Sequence, residues 1–209
     1  MKDLLGGSER FDQVVDHADL AAAALDDAHV GGYFRLVGSR VAGPLSMIRI
    51  KVGSDLVMDT QAQFADVRLI AADIGGDLSM GAAHFAGPLN LEDIHVGSDV
   101  NMNNGADFAS ASLANAKIGG YLRLYTARVA GELTLDRVKV GADLLMNKQS
   151  SFAAIGLAGA AIGGNLVLDQ ASVAGTLSAR PRDAQAPARA ETAGSRRSSS
   201  APARPRACG

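Results

Sequence analysis

Four strings, VGGYFRL (30–36), IGGDLSM (74–80), IGGYLRL (118–124) and IGGNLVL (162–168), begin 44 residues apart. Midway between them lie VGSDLVM (52–58), VGSDVNM (96–102) and VGADLLM (140–146). The underlying period is therefore 22 residues, and HADLAAAALDDAHV (17–30) realigns with GADFASASLANAKI (105–118) at an offset of 88. A fixed period of this length confines a chain to architectures in which each unit buries its apolar face against the next.

Columns taken every 22 residues give the core. One reads Val30, Val52, Ile74, Val96, Ile118, Val140, Ile162; another reads Leu36, Met58, Met80, Met102, Leu124, Met146, Leu168. Phe34, Leu56 and Leu78 head a third column, Leu45, Val67 and Leu89 a fourth, and Met47, Leu69 and Leu91 a fifth. Apolar residues fall in pairs two apart, with successive pairs five or six residues on, which is the alternation of very short strands. A helical repeat would show 3.6-residue spacing and few internal glycines. Here a glycine follows the β-branched residue in every unit: Gly31, Gly53, Gly75, Gly97, Gly119, Gly141 and Gly163. These suit corners where the chain turns sharply or where φ is positive.

Four short faces per unit predict an all-β fold, a right-handed parallel β-helix of square section with about seven 22-residue coils. At sheet spacing its length is about 34 Å. The expected organisation is a lead-in or cap over 1–16, the β-helix over 17–179 and a tail over 180–209.

The units of the form Ala72-x-Ile74, Ala83-x-Phe85 and Ala116-x-Ile118 resemble the pentapeptide-repeat family over residues 17–179. The spacing departs from the strict family pattern, since five- and six-residue steps alternate to give 22 per coil. The chain is more similar to a variant group of bacterial proteins rich in IGGxLxL repeats, some of which carry a membrane-associated oxidoreductase label. That resemblance implies a rod, in some members a DNA-mimicking one that binds type II topoisomerases, with dimerisation through the C-terminal coil.

Charge separates the chain into two parts. Residues 1–179 hold 13 basic and 20 acidic residues, a net −7, and residues 180–209 hold 7 Arg against Asp183 and Glu191, a net +5. The tail has no Val, Ile, Leu, Met or Phe, so it cannot offset the entropy of ordering and is expected to be disordered. Three explanations stand for a repeat that stops in mid-coil. Its end is a dimer interface, the tail covers it, or the natural chain is longer and this one truncated or frame-shifted. No apolar window reaches a membrane span, no signal-peptide core precedes the repeats, and Cys208 stands alone; a cytoplasmic location is expected.

Chemistry-bearing motifs are missing from the sequence: it has no Walker A loop, HExxH, CxxC or Gly-x-Ser-x-Gly. The recurrent GG pair reads as a corner rather than a dinucleotide fingerprint, which needs a strand, a helix and a later acid. His17, His29, His84 and His95 fall on different coils or faces and do not converge on a metal. No catalytic residue, cofactor or metal is expected. The clearest surface feature is a ladder just after the glycine corner: Tyr33, Asp55, Asp77, Asp99, Tyr121, Asp143, then Asn165. Its carboxylates serve either as corner residues bonding local backbone amides or as an acidic strip facing a basic partner or a cation. A second column, His29, Lys51, Asp73, His95, Lys117, Lys139, Ala161, reads as a solvated face of mixed sign. Arg35 and Arg123 have no aromatic platform in this reading, so specific nucleic-acid binding is not expected.

The expected function is a non-enzymatic structural or protein-interaction module, with the topoisomerase-binding mimic as its narrower form. The alternatives are a fragment or accessory domain of an oxidoreductase, and a self-assembling scaffold.

Overall fold

A computed structural model describes residues 13–179. Every element in it is a strand, most of them two residues long, and every strand pair is parallel. The chain winds through four faces per coil, as in Phe34–Arg35, Arg40–Val41, Leu45–Ser46 and Lys51–Val52. The first face forms an eight-stranded sheet and the fourth a seven-stranded one. The second and third share a twelve-stranded sheet, because strands such as His84–Asn90 and Arg128–Thr134 run round the corner between them. Among the described residues the first strand is Gln13–Val14, which pairs with Phe34–Arg35. The expected tail lies outside the described residues.

Strand lengths of two follow from the sequence. Each strand contributes one inward apolar side chain and one outward side chain before a turn residue changes direction. The inward columns close on one another and fill the rod, with Met47, Met58, Met80, Met102 and Met146 all at 0% exposure. Thioether chains pack irregular space well, and the buried aromatics lie on the second face apart from Phe34 on the first.

That face departs from the 22-residue rule. Its register runs Arg40↔Gln63, Gln63↔His84, His84↔Asp107 and Asp107↔Arg128, offsets of 23 and 21 in alternation. The other faces of these coils keep 22, as in Leu45↔Val67 and Val67↔Leu89. The cause is a residue moved between corners. Turns 37–39, 81–83 and 125–127 contain one left-handed residue each, Gly38 (φ 60°), Ala82 (φ 56°) and Thr126 (φ 55°). The intervening turns, 59–62, 103–106 and 147–150, contain two: Thr60 and Gln61, Asn104 and Gly105, Lys148 and Gln149. The longer turn is offset by a shorter link to the third face, visible as register shifts at Phe85/Pro88, Phe108/Ala111 and Val129/Glu132. Each coil keeps its length while the structural unit becomes two coils, the same 44-residue period as the GG pairs at the glycine corner.

The alternation carries an aromatic stack. Phe64, Phe85 and Phe108 face inward on consecutive coils with ring centroids 5.1 and 4.9 Å apart and planes 28° and 18° from parallel. Val129 interrupts the run before Phe152, and all five are buried.

The corner glycines are needed for a different reason than positive φ. Left-handed residues lie at other corners, among them Asp27 (φ 59°), Arg49 (φ 54°), Ala71 (φ 53°) and Asp93 (φ 57°); none of the seven corner glycines is among them. Instead, a Cβ on Gly75 would stand 2.5 Å from the carbonyl oxygen of Gly53, and Gly97, Gly119, Gly141 and Gly163 meet the glycine 22 residues earlier in the same way. The backbones of successive coils touch there, and only glycine admits that approach.

Candidate interaction face

The expected ladder is present along the edge where the glycine corner meets the first face, and its chemistry is cross-coil. Asp55 Oδ1 accepts the N–H of Asp77 at 2.9 Å, and Asp77 Oδ1 accepts the N–H of Asp99 at 2.9 Å. Asp99 Oδ1 accepts from Tyr121 N and Asp143 Oδ1 from Asn165 N, each at 2.7 Å. The bonded amide belongs to the next coil, 22 residues on, rather than to the local turn. An Asp side chain reaches an axial N–H that the coil below leaves without a carbonyl, and satisfying it offsets the cost of a stranded donor. Asp26 and Asp136 repeat the device at another corner, accepting from Ile48 N at 2.8 Å and Ala158 N at 2.9 Å. Tyr33 and Tyr121 carry no acceptor that short, so they mark breaks in the ladder.

One oxygen of each ladder carboxylate is thus structural. The other is partnered at Asp99, where Arg123 Nη1 donates to Oδ2 at 2.5 Å and to Asn101 Oδ1 at 3.0 Å. Among the described residues, the second oxygens of Asp55, Asp77 and Asp143 take no hydrogen bond or ion pair. The absence of an aromatic beside Arg123, read from sequence, is corrected here. Its guanidinium carbon lies 4.5 Å from the Tyr121 ring centroid, two residues apart on one edge of the face.

The remaining candidates are dispersed. His29, Lys51, Asp73, His95, Lys117 and Lys139 form one exposed column on the fourth face, and none of those lysines is in an ion pair among the described residues. His84 lies on the second face with its Nδ1 3.2 Å from Asp107 Oδ2, while Arg128 lies 3.9 Å from the other oxygen of the same carboxylate. Among the described residues no group of His, Cys, Asp or Glu has metal-binding geometry, and no helix is long and apolar enough to cross a membrane.

Exposed charge pairs decorate the corners. Arg49 binds Asp27 in a fork, Nε to Oδ1 and Nη2 to Oδ2 both at 2.7 Å. The hydrogen bonds from Arg49 hold the Asp27 carboxyl below its ordinary range, and Asp27 in turn raises Arg49. The second face of the rod holds a core column that 22-residue spacing hides, Val41, Phe64, Phe85, Phe108, Val129, Phe152 and Val173, with the buried Ala62, Ala83, Ala106 and Ala127 shifted alongside it. A search at alternating steps of 21 and 23 finds it.

No protein family, curated protein or solved structure matches this chain.

Proposed function

We propose that the chain is a non-enzymatic interaction scaffold, a rod whose outward ladders meet a protein partner. The observation that carries this reading is the fixation of the ladder. Each aspartate is pinned by an amide of the neighbouring coil, so the remaining oxygens of Asp55, Asp77 and Asp143 are offered with little rotamer freedom left to lose on binding, those of Asp55 and Asp77 one sheet spacing of about 4.8 Å apart. A narrower proposal, resting on the resemblance to pentapeptide-repeat rods, is that the partner is a type II topoisomerase. The Arg123–Asp99 pair and the lysines of the adjoining face make the surface less uniformly anionic than DNA.

The test is affinity capture with the full chain beside a variant in which Asp55, Asp77, Asp99 and Asp143 are all changed to Asn. Asparagine keeps an oxygen for the cross-coil amide and removes the charge. Circular dichroism establishes that both baits are folded. A partner held by the native chain and lost by the variant supports the ladder as the contact surface. Equal capture by both places the contact elsewhere, and self-association without any partner rejects the reading in favour of a self-assembling rod.

A further inference from the structure

The first face carries one layout twice, four coils apart. Tyr33, Arg35 and Asp55 recur at an offset of 88 as Tyr121, Arg123 and Asp143, while Val37, Asp59 and Thr60 are replaced by Tyr125, Asn147 and Lys148. In the second copy the chain supplies its own ammonium group: Lys148 Nζ lies 4.8 Å from the Tyr125 ring centroid. In the first copy the shorter Val37 and Thr60 leave an open depression of about 440 Å³, with Val57 among its apolar walls and Tyr33 and Asp55 also lining it.

The charge around this depression is unbalanced. Arg35 is paired with Asp16 at 3.0 Å. Asp55 and Asp59 also line the depression, and among the described residues neither has a cationic partner. Asp59 is held in place by the hydroxyls of Thr60 and Ser79, each donating at 3.0 Å. Two fixed carboxylates above an aliphatic floor and beside an aromatic residue make the complement of an alkylammonium, which brings a charged head and an apolar stem.

We propose that this depression binds an aliphatic ammonium group, the chemistry that Lys148 already brings to the second copy. The same group is available from a free linear diamine or from a lysine side chain of a protein; the site shares Asp55 with the ladder, and Asp59, outside the ladder, distinguishes its failure from that of the scaffold reading. The test is a nuclear magnetic resonance titration of the full chain at low salt with two probes, cadaverine and Nα-acetyl-lysine methylamide. Saturable shifts are expected at the amides of Val37, Val57 and Thr60, with none at Tyr125 and Lys148. Binding of both probes indicates that a lysine side chain suffices, and binding of cadaverine alone indicates a free diamine. Asp55→Asn and Asp59→Asn should each weaken binding by about two- to fivefold, as for half-exposed ion pairs. The pair Val37→Tyr with Thr60→Lys installs the filling of the second copy and should abolish it. No saturable shift, shifts spread evenly over all acidic residues, or binding unchanged in the filled variant would each overturn the proposal.

Discussion

The amide of Asp99 donates to Oδ1 of Asp77, one coil below, at 2.9 Å. This bond joins two residues 22 apart in sequence and belongs to a chain of such bonds from Asp55 to Tyr121. Asp77→Ala should therefore leave the Asp99 amide without its acceptor and cost about 1–2 kcal/mol, whereas Asp77→Asn should cost well under about 1 kcal/mol. Urea denaturation of the two variants measures the difference.

The glycine corner and the left-handed turns make opposite demands. A Cβ on Gly75 would meet the Gly53 carbonyl, while Gly105 has φ 82° and a Cβ there would find nothing within 4 Å. Gly75→Ala should destabilise by about 3 kcal/mol through backbone displacement, and Gly105→Ala by about 1 kcal/mol through its dihedral alone. Thermal unfolding of both variants checks the ranking, which a criterion based on φ would reverse.

Phe85 lies between Phe64 and Phe108 in the buried stack. Phe85→Ala removes both ring contacts and opens a cavity, for an expected loss of about 3–5 kcal/mol. Phe152, separated from the stack by Val129, loses no ring contact, so Phe152→Ala should cost less by roughly two aromatic pairs at about 0.5–1.5 kcal/mol each. Chemical denaturation of the two variants side by side gives the comparison.

Asp27 provides a pH test. Its folded pKa is lowered, chiefly by the hydrogen bonds from Arg49, so the pair contributes fully above the unfolded value of about 3.9 and is lost as pH falls through the folded value. Arg49→Gln should move the Asp27 titration upward, toward the ordinary carboxylate range, when followed by carboxyl carbon resonances. An unchanged midpoint would show that the fork does not persist in solution.

How much of this is legible without the structure depends on which physical rule each residue obeys. The coil, the four faces and the inward columns follow from period and hydrophobicity, and Val52, Leu56 and Met58 are buried as their columns imply. The ladder of Asp55, Asp77 and Asp99 is readable as a column. Its partner amide is not, because a sequence shows the local turn and hides what the next coil brings alongside. The Phe64–Phe85–Phe108 stack escapes a fixed-period search because residues move between corners, and that shift is visible only once turn lengths such as 59–62 and 81–83 are compared. The period locates the glycine corner, but its cause, contact between backbones of successive coils, emerges only from the stacking itself.

Backbone amide hydrogen exchange in Asp77→Ala isolates the cross-coil ladder. Selective loss of protection is expected at Asp99, one coil on, with the amides of Tyr121 and Asn165 still protected by Asp99 and Asp143. Loss confined to the turn that holds residue 77, with Asp99 unaffected, would refute the cross-coil bond and with it the fixed ladder on which the proposed function rests.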